Sequence, residues 1–276
     1  VLAAAAGGDA PAVLTADIAL AGALIFGALA TRVALIPFHA WLPEAHGQAP
    51  TPVSALLSGL MLKAAFIATW RILSLLPGAV LLDTLAWVGG LSAILGALFA
   101  LMQEDAKRLL AYSSISQIGY ITAASGAGAI GAALYHAVSH GLYKALLFLI
   151  IGSWVHRWEL RRLSALRSVG VLRGGRERIE AVLLLLGVLA IVGAPPFSAY
   201  VSKAGISYLM KGEPAYLLIQ VAGYLTAAAI FRLALVLLPA RRGSAAGIAS
   251  SAGAVGSPAE TVGSPGDGAR TSPAPT

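Results

Sequence analysis

The sequence predicts an all-α membrane protein of about seven transmembrane helices, two of them broken at proline. Three observations carry that prediction. The chain has 276 residues, 58% hydrophobic and only 11% charged, with mean hydropathy +0.82, whereas a soluble domain carries about 25% charged residues. Seven long apolar segments follow one another along it, at 12–42, 51–74, 79–102, 108–124, 128–155, 179–210 and 215–239. Its basic residues gather in one connection between those segments. A chain this poor in charge cannot clothe a soluble surface. That argues against an ordinary cytosolic enzyme, a nucleic-acid-binding domain and a wholly disordered chain. The absence of cysteine excludes disulfides, thiolate metal sites and cysteine nucleophiles.

Each segment except 108–124 has the roughly 20 residues that a spanning helix needs. The first contains Pro37 and the sixth Pro195 and Pro196. Proline removes a backbone donor and clashes with the preceding turn, so both spans are expected to be broken. The chain opens on Val1 without the basic start of a signal peptide, and it is expected to be N-terminally short. Residues 240–276 are rich in Ala, Gly, Ser, Pro and Thr, cannot bury a core, and are expected to form a disordered tail.

The formal net charge is +7. The connection 156–178 supplies seven arginines against Glu159 and Glu177, which is +5 of that total. A basic connection beside membrane spans reports topology rather than nucleic acid. With seven spans, Lys107, Arg108, Arg241 and Arg242 fall on the same side as this loop, and only Arg71 and Lys211 lie near the other. The expected arrangement in the cell (inner) membrane is N-terminus outside and C-terminus cytoplasmic.

The residues of 37–41, PFHAW, resemble those of 196–200, PFSAY, and each set lies at a proline break. The two spans are five apart in order and therefore run in opposite directions. Inverted repeats with broken helices mark transporters, with the break near the ion path.

Ionisable residues inside spans are costly and are functional candidates by default. Arg32, Lys63, Lys144, Lys203 and Arg232 all lie within apolar segments. His136, His140 and Lys144 recur every four residues, so they form one stripe on a helix. Two imidazoles and an amine in a row can pass protons through intervening water. Ser113, Ser114, Ser116, Gln117 and Tyr120 on the preceding span could hold that water. The plainer alternatives are histidines bonded to neighbouring helices and lysines snorkelling to the headgroups. Snorkelling suits Arg71 and Lys211 but not Lys63 and Lys144, which sit near mid-span. Zinc at His136 and His140 is disfavoured by the nearby Lys144 and by the lack of an acid. Glu44 and His46, in a connection before Pro50, and Lys107, at an interface, are either polar turn residues or modulating and proton-uptake positions. No phosphate loop, serine elbow or metalloprotease helix occurs.

Four stretches carry a resemblance. They are PFHAWLPEAHGQAPTPVSALLSGLMLK at 37–63, DAKRLLAYSSISQIG at 105–119, YHAVSHGLYKALLF at 135–148 and PPFSAYVSK at 195–203. In this order they resemble the antiporter-like, proton-conducting membrane subunits of respiratory complex I, Mrp-type sodium/proton antiporters and membrane-bound hydrogenases. The resemblance covers roughly residues 20–239. It implies inverted five-helix repeats, each with a half-channel, joined by lysines, histidines and water at mid-membrane. Residues 1–78 would hold the last two helices of the first repeat, and 79–239 the complete second repeat. Lys63 matches the central lysine after the first broken helix; His136, His140 and Lys144 match the relay of the second repeat; Lys203 matches the lysine of the second broken helix.

The chain departs from the family at Arg32, where a lysine is usual five residues before the proline. Arginine keeps its proton at any accessible pH, so Arg32 could modulate the field but not cycle. The glutamate that pairs with that lysine in the family belongs to earlier helices, which a partner chain would have to supply. The resemblance implies a proton-translocating subunit of a redox-driven complex, not catalytic alone and holding no cofactor or metal itself. It would associate with other membrane subunits and the bilayer, and not with nucleic acid. The alternatives are an Mrp-type sodium/proton antiporter subunit and a structural subunit that has lost transport.

Overall fold

The computed structural model describes residues 12–73, 79–169 and 174–238, and the tail at 240–276 lies outside them. Helix is the only regular structure among the described residues, apart from an isolated bridge between Asp105 and Arg162. The helices are α1 (Ala12–Arg32), α2 (Trp41–Gln48), α3 (Thr51–Leu56), α4 (Leu62–Leu73), α5 (Ala79–Met102), α6 (Ala106–Gly126), α7 (Ile130–Trp158), α8 (Leu163–Val169), α9 (Gly175–Val192), α10 (Ser198–Leu209) and α11 (Tyr216–Ala234).

Large apolar side chains face outward along the bundle, among them Leu24, Leu60, Leu142, Leu185 and Leu217. Such a belt is untenable in water and is what lipid requires. The protein is a multi-pass membrane protein. Four helical stretches are each long and apolar enough to cross alone: Thr51–Ile72, Leu82–Met102, Ile130–Trp158 and Tyr216–Leu237. The count of seven is not reproduced by length and composition, for two reasons. The sixth apolar segment is divided at its prolines into α9 and α10, whereas the first keeps a helix of 21 residues, α1, before its proline. The fourth segment is α6, whose polar residues dilute its hydropathy.

That polarity follows from where α6 lies. It packs against α5, α7, α11 and α2, and almost its whole length is buried. With no water to satisfy them, its hydroxyls bond within the protein. Ser113 and Ser114 donate to the Leu110 carbonyl at 3.0 Å, and Thr122 and Ser125 donate to Ile118 and Ile121 at 2.9 Å. Asp105 starts the helix by accepting from the backbone N–H groups of Lys107 (2.8 Å) and Arg108 (3.0 Å). Glycines let α5 and α6 come into backbone contact: a Cβ on Gly119 would stand 2.5 Å from the Ala93 nitrogen.

The helix that begins at Thr51 is irregular at its middle. One π turn, Leu57–Met61, joins α3 to α4. A π turn shifts the backbone register and leaves carbonyls without their ordinary partners, a feature common at functional sites. At the same level Gly59 meets Gly141 of α7, where a Cβ on Gly141 would stand 2.5 Å from the Gly59 carbonyl. Two small residues thus bring the irregular helix directly onto the helix carrying the histidine stripe.

Candidate functional site

The stripe on α7 is internal. His136, His140 and Lys144 are fully buried. The rings of His136 and His140 stack with centroids 6.3 Å apart and planes 12° from parallel. His136 Nε2 lies 3.0 Å from Gln117 Oε1 and Nδ1 lies 2.7 Å from Ser202 Oγ. It therefore ties α7 to α6 on one side and to α10 on the other. Both nitrogens of His140 lack a hydrogen-bond partner among the described residues, although the ring is in edge contact with Tyr143 at 5.5 Å. Lys144 donates to the Leu110 carbonyl and to Ser113 Oγ, both at 2.6 Å, and its ammonium lies 5.8 Å from the centre of the Phe148 ring.

Two further lysines flank the stripe. Lys63 is 6% exposed and donates to the Ser58 carbonyl, one of the groups loosened by the π turn. Ser58 Oγ in turn lies 2.8 Å from Ser114 Oγ on α6. Lys63 is also near the stripe itself, its Cε 3.8 Å from where a Cβ on Gly141 would stand. Lys203, on α10, donates to the carbonyls of Ile191 (2.7 Å) and Val192 (3.2 Å). These are carbonyls at the end of α9, which closes on Gly193 with φ +90°. Breaking the span leaves carbonyls unpaired inside the membrane, and their partial negative charge holds a cation. Among the described residues none of these five side chains has a carboxylate partner.

The other candidate residues lie apart from this chain or differ from expectation. Arg32 ends α1, is exposed on the outer face, and lines a cavity of about 400 Å³ with Trp41, Leu57 and Met61. Glu44 and His46 are not in a loop: Trp41–Gln48 is the helix α2. Glu44 faces outward and pairs with Arg108 at 2.9 Å. His46 is fully buried, stacked on Phe148 at 4.4 Å, with both nitrogens unpartnered among the described residues. Lys107 is not in a solvated turn; it is 5% exposed and donates to the Ala49 carbonyl at 3.1 Å. Ser116 serves packing instead of the stripe, donating to the Ala93 carbonyl and meeting Thr226 Oγ1, each at 2.8 Å. Ser58 and Ser202 escaped the reading of the sequence. Their signal was small polar residues within apolar segments, Ser202 directly beside Lys203.

Residues 11–230 match the family described as NADH:quinone oxidoreductase/Mrp antiporter, transmembrane. The chain belongs to this family. Among its relatives are NAD(P)H-quinone oxidoreductase chain 5 of Synechocystis sp., 39% identical over 192 residues, covering 67% of this chain and 28% of that one. The chloroplastic subunit 5 of Lemna minor is 40% identical over 223 residues, covering 77% of this chain and 30% of that one. The chain thus spans less than a third of the length of these curated relatives. Among solved structures, the Mrp complex from Dietzia sp. DQ12-45-1b contains a chain similar with TM-score 0.70 and 28% identity, over 81% of this chain and 42% of that one. The membrane-bound sulfane sulfur reductase, an archaeal respiratory membrane complex, contains another with TM-score 0.70 and 28% identity, over 84% of this chain and 50% of that one. As a member of the NADH:quinone oxidoreductase/Mrp antiporter family, the chain carries its lysines and histidines on helices shared with subunits of respiratory and antiporter complexes.

Proposed function

We propose that this chain is a proton-translocating membrane subunit of a larger redox-driven complex, and that protons move along Lys144, His140, His136 and Lys203, with Lys63 beside the stripe. The observation that carries this reading is the buried stripe itself. Of the five ionisable groups on and beside it, Lys63, His136, Lys144 and Lys203 are held by carbonyls, hydroxyls and an amide, His140 has no hydrogen-bond partner among the described residues, and none has a counter-charge among them. Cations without carboxylate partners inside a membrane are expensive to keep charged. Their protonation therefore responds to a change in the field nearby, which is how a redox event elsewhere in a complex can drive proton movement. The chain needs no cofactor for this, and electron transfer would belong to partner subunits.

The similarity to the Dietzia Mrp complex supports a second reading, a sodium/proton antiporter subunit. The chemistry of the site favours protons, because hard cations take oxygen ligands and the stripe offers nitrogen. Arg32, unable to cycle its proton, supports a third reading in which this part of the chain modulates or is structural. We place residues 1–78 as the last two helices of one repeat and 79–239 as a complete second repeat. We orient the basic 156–178 connection and the C-terminus to the cytoplasm, on the strength of its arginines. The test is proton flux into vesicles holding the reconstituted complex, read with a pH dye with and without sodium. Flux that is indifferent to sodium and lost in Lys144→Ala supports the proposed reading. Flux that requires sodium supports the antiporter.

A further inference from the structure

Near the start of α6 and the end of α7 lies a cavity of about 480 Å³ that the relay does not use. Lys107, His156 and Arg161 line it, with Glu159 as its sole acid and Pro50 and Val155 among its apolar residues. It sits at the C-terminal end of α7, beside the half-buried Trp158. Tryptophans gather at the headgroup level of a bilayer.

The surrounding charges leave this cavity positive. The other acids of this face are already engaged. Glu44 holds Arg108, Glu104 holds Arg232, Asp105 caps α6, and Glu177 and Glu180 hold Arg157. Arg161 has no ion pair among the described residues, yet its charge acts directly on Lys107. Two cations are thus set around one space, offset by Glu159 on its wall and by Asp105, which acts on Lys107 from the start of α6. The lining offers two cations and a histidine against one acid, and basic pockets between membrane helices hold phosphate headgroups.

We propose that this cavity binds a phosphate group through Lys107 and Arg161, with His156 as an additional donor. The phosphate is that of an anionic lipid headgroup or free phosphate; the two share this chemistry and differ in the apolar part that Pro50 and Val155 would meet. The cavity and its charges do not depend on the transport reading, whereas its assignment to the cytoplasmic face rests on the topology proposed above.

The test uses the whole complex, purified and stripped of lipid in neutral detergent. Its melting temperature is followed while phosphatidylglycerol, phosphatidylcholine or inorganic phosphate is added in separate arms. Stabilisation by phosphatidylglycerol alone identifies a lipid site, and stabilisation by inorganic phosphate as well identifies a site for phosphate itself. Arg161→Gln, whose side chain makes no hydrogen bond or ion pair among the described residues, should weaken the apparent affinity about fivefold, the worth of one cation at a membrane surface. Glu159→Gln should strengthen it by a similar factor, which a general loss of folding cannot imitate. Arg178→Gln, an exposed cation outside the cavity, should leave it unchanged. Equal response to phosphatidylcholine and phosphatidylglycerol, or affinities that ignore both Arg161→Gln and Glu159→Gln, would overturn the proposal.

Discussion

His136 Nδ1 lies 2.7 Å from Ser202 Oγ, and the next residue of α10 is Lys203. The hydroxyl therefore joins the stripe on α7 to the broken span that carries Lys203. Ser202→Ala leaves a buried ring nitrogen without its partner, a loss of about 1–3 kcal/mol. Proton flux should fall severalfold while the complex still assembles, and Ser202→Thr, which keeps the hydroxyl, should recover much of it. Equal flux in Ser202→Ala and wild type would show that this bond has no part in transport.

In the proposed relay Lys203 has two separable duties, neutralising the carbonyls at the end of α9 and releasing a proton. Lys203→Arg keeps a cation for the carbonyls of Ile191 and Val192 but holds its proton permanently. It should assemble normally and transport no protons. Lys203→Met should lose transport and also lower the melting temperature, since those carbonyls are left unpaired. Proton flux and thermal melting on the same two preparations separate the duties; transport by the arginine variant would show that Lys203 need not cycle.

The close contact of α5 with α6 depends on glycine. A Cβ at Gly119 would stand 2.5 Å from the Ala93 nitrogen, and backbone cannot move aside as a flexible side chain can. Gly119→Ala is therefore expected to destabilise the protein by about 3 kcal/mol, the upper part of the range for overpacking. Thermal melting of the purified complex would show it, and an unchanged melt would mean that the two helices can separate without loss.

Glu180 clamps α9 to α7. It accepts from Trp154 Nε1 at 2.7 Å and from both terminal nitrogens of Arg157 at 2.7 and 3.1 Å. The pair is partly open to its surroundings, with 13% and 26% side-chain exposure, so it is worth less than a fully buried one. Glu180→Gln should cost about 1–2 kcal/mol of stability and leave proton flux per assembled complex unchanged. Loss of flux without loss of stability would place Glu180 in the transport path instead.

Much of this arrangement was legible in the sequence. The breaks at Pro37 and at Pro195 and Pro196 followed from the chemistry of proline, and the four-residue spacing of His136, His140 and Lys144 fixed their common face. Other features depend on partners distant in the chain. His46 is buried against Phe148, Ser202 is used by His136, and the π turn at Leu57–Met61 lies where Gly59 meets Gly141. Local pattern does not encode such contacts. Lys107 shows the same limit, since the sequence left it either a polar turn residue or a modulating position and did not reveal the Ala49 carbonyl to which it donates.

The most direct measurement of the central claim is the number of protons pumped per electron pair by the complex carrying Lys144→Ala, Lys203→Ala or both, reconstituted in sealed vesicles. If protons move along the stripe, each single variant should lower this chain's contribution about tenfold or more, the double variant should do no worse than either, and assembly should persist. Unchanged pumping in the double variant would contradict the relay and leave the chain a structural subunit.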